Sequence, residues 1–140
     1  MTSEGRVILC DFGVSALLPT AHSKRATFVG TPYWMAPEVI SGTLYDTKAD
    51  IWGLGITIYE MMMKTPPHAS EAPMRALVLI TNGKPPRLPE SVGSKDMKDF
   101  MASCLKEVPN EVRSTATLDH LISNQFFSVQ VQMNYPNPSG

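Results

Sequence analysis

The sequence predicts a mostly helical domain, or the helical part of an α+β one, that begins with a short N-terminal β-hairpin. Three observations predict it. A single strand-type run follows a turn near the N-terminus, helical stretches dominate after residue 36, and no internal repeat divides the 140 residues. A hydrophobic fraction of 43% is enough for a core, and the length fits one domain or a piece of something larger.

The hairpin is read from the turn at Ser3-Glu4-Gly5 and the apolar run Arg6-Val7-Ile8-Leu9-Cys10. From Asp11 to Pro37 glycine, proline, serine and threonine are scattered without a period. A connection that long inside a compact domain is usually functional. Ala36 to Ile40 makes a helical turn stopped at Ser41-Gly42, and Asp46 to Asp50 offers capping residues for a helix over Ile51–Met63. Apolar side chains fall on almost every face of that helix, so it is expected to be central and buried, not amphipathic. Thr65-Pro66-Pro67 should end it. Ala72–Ile80 is the next helix, followed by a proline- and glycine-containing loop over 82–93. Asp96–Leu105 carries Met97, Phe100, Met101 and Leu105 at helical spacing. A last helix is expected over Ser114–Gln125, and residues 128–140 read as a disordered tail.

Composition excludes several classes. A net charge of −1 and a pI near 6.3 give no electrostatic reason for nucleic acid or an anionic membrane as partner. Two cysteines, Cys10 and Cys104, make neither a disulfide scaffold nor a four-thiolate zinc site. No signal peptide opens the chain and no apolar run is long enough to span a bilayer, so a soluble, cytoplasmic protein is expected.

Three strings carry chemistry. Asp11-Phe12-Gly13 follows the strand directly, and a carboxylate at a strand end beside a glycine suits holding Mg²⁺ against nucleotide phosphates. Alone this is a commonplace turn. The nine residues Gly30-Thr31-Pro32-Tyr33-Trp34-Met35-Ala36-Pro37-Glu38 are far less probable by chance, and Ala36 lies 25 residues after Asp11. Asp50-Ile51-Trp52-Gly53-Leu54-Gly55 opens the apolar helix. In this order the three strings are strong evidence together.

With those strings the chain resembles the C-terminal lobe of a eukaryotic serine/threonine protein kinase. It is closest in pattern to the germinal-centre-kinase branch of the sterile-twenty group. Leu9 to Ala16, Phe28 to Glu38, Asp50 to Thr57, Pro73 to Leu77 and Lys84 to Pro89 carry the likeness, so that 1–127 reads as a partial kinase domain. The resemblance implies transfer of the γ-phosphoryl of Mg-ATP to protein hydroxyls in signalling. It implies that Asp11 holds the Mg²⁺ bridging the ATP phosphates, with Phe12 and Gly13 completing that motif. Thr27 matches the activating phosphorylation site. Thr31 matches the residue that senses the catalytic aspartate and marks serine/threonine preference. Gly30, Thr31, Pro32, Tyr33 and Trp34, continuing to Ala36, match the pocket for the substrate residue after the acceptor. Glu38 would pair with Arg113, and Asp50 would hold the backbone of the catalytic loop, although a simple helix cap would also explain Asp50. Protein substrates and an upstream activating kinase or scaffold are the implied partners.

Parts of the family pattern are absent from these 140 residues. No glycine-rich phosphate loop occurs, since Gly53-Leu54-Gly55 lies inside a helix. None of the seven lysines follows a Val-Ala-apolar strand, and His22, His68 and His120 are not followed by Arg-Asp. The catalytic base and the ATP-anchoring lysine are therefore not in this chain, which reads as a kinase fragment expected to be inactive by itself. From another class comes the alternative of a non-catalytic C-lobe module for docking or scaffolding. The pattern also departs near Arg113: Val108-Pro109 is followed by three residues where two are usual. Cys10 reads as a buried inert thiol, Met61-Met62-Met63 as core packing and Lys24-Arg25 as a solvated loop pair.

Overall fold

Proline opens three of the elements, because its fixed φ suits the first position of a helix and its missing N–H costs nothing there. Pro32 starts a 3₁₀ turn over Pro32–Trp34, Pro37 starts helix α1 (Pro37–Ile40) and Pro73 starts α3 (Pro73–Asn82). Between them runs α2 (Lys48–Met63), and α4 (Lys95–Cys104) closes the series. The structure is a computed structural model that describes residues 30–106. The expected hairpin, Cys10, Asp11-Phe12-Gly13, Thr27, Arg113, the last helix and the tail lie outside the described residues.

Helix starts follow local chemistry. The Ser94 hydroxyl accepts the Met97 N–H at 3.2 Å, a cap of the kind that contributes about 1 kcal/mol. For α2 the cap is not Asp50. The N-cap position is Thr47, whose side chain makes no cap bond; Asp46 just before it accepts the Lys48 N–H on Oδ1 at 2.9 Å, and Asp50 lies inside the first turn. The helix ends at Lys64, which adopts φ 72° and donates its N–H to the Glu60 carbonyl at 2.7 Å, one residue ahead of Thr65-Pro66-Pro67. Helix α3 runs two residues beyond the expected end. The Thr81 hydroxyl donates to the Leu77 carbonyl at 3.0 Å, and the Gly83 N–H closes the last turn on Leu79.

The core forms where α4 and the 3₁₀ turn pack against α2, with α3 against the 3₁₀ turn and α1. Met35, Val39, Trp52, Ile56, Leu77, Met101 and Leu105 are its main buried side chains. Gly55 permits the closest approach. A Cβ there would lie 2.8 Å from Leu105 Cγ and 2.9 Å from Cys104 Cβ, closer than atoms can sit. The expectation of an α2 buried on every side is corrected. Ile51, Trp52, Gly55 and Ile56 are buried, but Leu54 is 40% and Met61 69% exposed. A helix apolar all round needs neighbours all round, and among the described residues α4 and the 3₁₀ turn cover one half of it. Met61 is accordingly not core packing.

Candidate functional site

The site begins with the backbone of Gly30. Its φ of 150° is poorly accessible to other residues, and a Cβ would lie 3.2 Å from Met35 Cγ. Glycine is thus favoured by conformation, and any larger residue would also crowd the buried Met35 side chain. Thr31 follows, exposed, with no side-chain bond capping the turn. The next three residues close the turn through Trp34 N–H to the Thr31 carbonyl and Met35 N–H to the Pro32 carbonyl. Met35 and Ala36 are 6% and 1% exposed, so the turn is pinned from behind while Gly30 and Thr31 stay at the surface.

Tyr33 fixes the turn from the side. Its hydroxyl donates to the Glu71 carbonyl at 3.0 Å, and its ring stands edge-on to Trp34 with centroids 6.0 Å apart. Glu71 is itself held by a turn in which its N–H reaches the His68 carbonyl at 2.9 Å, with His68 at φ 60°. Behind Tyr33, Trp52, Ile56, Pro67 and His68 wall a small recess. A wider cleft of about 350 Å³ runs from Pro37 along Trp52 to the C-terminal end of α3 and Lys84. The indole N–H of Trp52 is buried and has no hydrogen-bond partner among the described residues.

Two carboxylates lie at the starts of α1 and α2. Glu38, half-buried in the first turn of α1, has no Lys or Arg partner among the described residues. Burial raises its carboxyl above the ordinary range, a hydrogen bond from its own backbone opposes this, and the nearby Asp46 charge raises it further. Its backbone carbonyl accepts both the N–H and the hydroxyl of Thr43, which fixes the end of α1. Asp50 is raised by partial desolvation alone. Being relieved of capping by Asp46, it keeps an exposed carboxylate available at the start of α2.

The structure therefore brings Gly30, Thr31, Pro32, Tyr33 and Trp34 into one surface element, and places Glu38 and Asp50 at two neighbouring helix starts. Asp11, Phe12, Gly13, Thr27 and Arg113 lie outside the described residues. Among those described, no group of three or more His, Cys, Asp or Glu could hold a metal. Sequence reasoning missed Glu71 and His68 as supports of the turn and Lys84 as a cation on the cleft. No local signal marks them, because a backbone carbonyl 38 residues away is recruited by tertiary packing alone. No helix of the described residues is long and apolar enough to cross a membrane.

Comparison with known proteins bears on this geometry. The family description "Protein kinase domain" matches residues 1–127. The chain is similar to serine/threonine-protein kinase KIC1 of Saccharomyces cerevisiae, 49% identical over 127 residues, covering 90% of this chain and 12% of that kinase. It is similar to serine/threonine-protein kinase ppk11 of Schizosaccharomyces pombe, 46% identical over 88% of this chain and 38% of the relative. It is also similar to serine/threonine-protein kinase sid1 of the same yeast, 50% identical over 78% and 23% respectively. The chain thus spans well under half the length of these curated relatives.

Proposed function

The chain belongs to the protein kinase domain family, among the serine/threonine kinases, and from that premise we propose that it supplies the substrate-docking and activation part of such an enzyme. The observation that carries this is the pinned element Gly30–Trp34. It presents a rigid, exposed backbone and Thr31 beside a cleft, which is what positioning a peptide next to a phosphoryl donor demands. The branch is the germinal-centre type, on the strings from Leu9 to Ala16 and Phe28 to Glu38.

In this reading Gly30 to Trp34 receive the residue after the acceptor and Thr31 registers the acceptor's serine or threonine character. Asp11, with Phe12 and Gly13 around it, is the Mg²⁺ ligand, and ATP with Mg²⁺ supplies the phosphoryl group in the complete enzyme. Thr27 is the activating phosphosite. A dianion there can pair with basic side chains and order the segment that ends in the Gly30 turn. Glu38 pairs with Arg113; its half-buried, upshifted carboxyl is the group that such a cation would relieve. Asp50 accepts hydrogen bonds from a catalytic-loop backbone. The partners are protein substrates and an upstream activating kinase, in the cytoplasm.

Phosphoryl transfer needs several groups acting together, and losing one transition-state contact costs about 10² to 10³ in rate. The 140 residues contain neither the Val-Ala-apolar-Lys strand nor a His-Arg-Asp loop, so by themselves they transfer no phosphate. A segment exchange tests both statements. Residues 1–127 replace the corresponding segment of ppk11, and radiolabelled phosphate transfer to a serine/threonine peptide is measured beside the 140-residue chain alone. The exchanged kinase should be active and should lose at least about 10²-fold activity with Asp11→Ala or Thr27→Ala. The isolated chain should be silent. A folded but inactive exchange, or Asp11-dependent transfer by the isolated chain, would refute the reading.

A further inference from the structure

The loop between α2 and α3, residues 64–72, has little backbone freedom. Lys64 leaves the helix at φ 72°, the rings of Pro66 and Pro67 hold φ at about −65°, and His68 turns the chain at φ 60°. Pro67 is buried and, with His68, walls the recess behind Tyr33. At and beyond His68 the backbone closes on itself. The Ala69 N–H donates to the Pro66 carbonyl at 3.3 Å, and the Glu71 N–H donates to the His68 carbonyl at 2.9 Å. That turn aims the Glu71 carbonyl, which accepts the Tyr33 hydroxyl at 3.0 Å. The His68 imidazole makes no hydrogen bond of its own among the described residues. What position 68 supplies to the clamp is therefore a backbone conformation.

We propose that His68 is a positioning residue for the peptide substrate, and that it acts through its left-handed backbone and not through its imidazole. The inference rests on the reading that the Gly30–Trp34 turn receives the peptide. A left-handed φ is free for glycine, tolerated by histidine and asparagine, and worst for β-branched residues. A residue that cannot hold φ 60° swings the carbonyl at position 68 away and releases the Glu71 N–H. The Glu71 carbonyl then loses its direction, and the Tyr33 hydroxyl loses its acceptor. Tyr33 keeps its edge contact with Trp34, and Met35 and Ala36 still pin the turn from behind. The sideways hold on Gly30 to Trp34 is what disappears. Loss of that hold weakens peptide binding, whereas the groups that act on the phosphoryl are left in place. The signature of position 68 is accordingly a rise in KM that exceeds the fall in kcat.

Two measurements test this. In the 140-residue chain, His68→Val should raise the unfolding constant in urea by at least about fivefold, and by less once Tyr33→Phe has already removed the bond. In the ppk11 exchange, His68→Val should raise KM for a serine/threonine peptide about fivefold, the worth of one modest hydrogen bond, and lower kcat by less than about twofold. His68→Asn and His68→Gly keep the conformation without the imidazole, so both should rescue KM to within about twofold of the His68 enzyme. Circular dichroism identifies a variant that fails to fold, and His68→Ala, less strained at positive φ, then replaces His68→Val. A KM raised as much by Asn and Gly as by Val would assign the role to the imidazole and overturn the proposal. Additive effects of His68→Val and Tyr33→Phe would cut the link between them and do the same. An exchange that is active but indifferent to position 68 overturns this inference alone. An exchange that is inactive with His68 in place overturns the reading of the turn, and this inference with it.

Discussion

Two glycines in one helix, two residues apart, should respond to the same added methyl with opposite sign. Gly53 and Gly55 both lie in the interior of α2, where replacing glycine by alanine removes backbone freedom from the unfolded chain and favours the helix by about 1 kcal/mol. At Gly53 the new Cβ would sit 3.7 Å from the Trp34 carbonyl oxygen, an ordinary contact. At Gly55 it would sit 2.8 Å from both Cγ and Cδ2 of Leu105 and 2.9 Å from Cys104 Cβ. Leu105 and Cys104 are fully buried, so neither can swing into water to make room. Inserting a methyl into a filled core costs about 1 to 3 kcal/mol. The propensity gain is common to both sites, so Gly53→Ala should exceed Gly55→Ala in stability by about 1 to 3 kcal/mol. Urea unfolding of the chain, followed by tryptophan fluorescence and circular dichroism at a shared m-value, measures the difference. Equal midpoints, or Gly55→Ala above Gly53→Ala, would show that α2 and α4 do not pack as closely as described.

Tyr33→Phe removes the hydroxyl bonded to the Glu71 carbonyl, an exposed bond, and should cost about 0.5 to 1 kcal/mol in urea unfolding. In the ppk11 exchange it should also raise KM for a peptide more than it lowers kcat, since the turn proposed to receive the peptide is loosened. Glu38→Ala and Arg113→Ala should each destabilise, and a double-mutant cycle should return a coupling of about 1 to 2 kcal/mol; no coupling would dissolve the proposed pair. Cys104, buried and pushed up from 9.0 to about 12, should resist iodoacetamide at pH 8 in a Cys10→Ser background until the chain unfolds. Its native state keeps a proton that the unfolded state releases, so stability should fall as pH climbs from about 9 towards 12. A Cys104→Ala variant should lose that slope, as a pH series of urea midpoints would show.

Periodicity and punctuation carried the helices because both are local. Pro37 and Pro73 mark true first positions, and Met97, Phe100 and Met101 already lie on one side of α4 before any neighbour is known. The errors lie where a partner decides. Among the capping candidates from Asp46 to Asp50, the use of Asp46 for the Lys48 N–H depends on how the chain enters the helix, which composition leaves open. Local pattern alone does not mark which side of α2 is exposed. An all-apolar helix states that it wants neighbours and is silent on how many it obtains. For the site, Gly30 to Trp34 were legible as a string of improbable composition, whereas the clamp through Glu71 and His68 arises from packing of distant segments.

The same helix links the site to the surface opposite it, and this sets a constraint on function. Trp52 and Ile56 hold the recess behind Tyr33, and Gly55 admits Leu105, so the buried half of α2 supports the Gly30–Trp34 turn from below. Asp50 stands on the opposite half of the same helix and is the carboxylate proposed to accept hydrogen bonds from a catalytic-loop backbone. Its acceptor oxygens are open to that use because Asp46, not Asp50, accepts the Lys48 N–H. In the ppk11 exchange Asp50→Ala should therefore lower kcat by more than the urea midpoint falls. Unchanged transfer of radiolabelled phosphate by that variant would show that Asp50 does not hold such a loop.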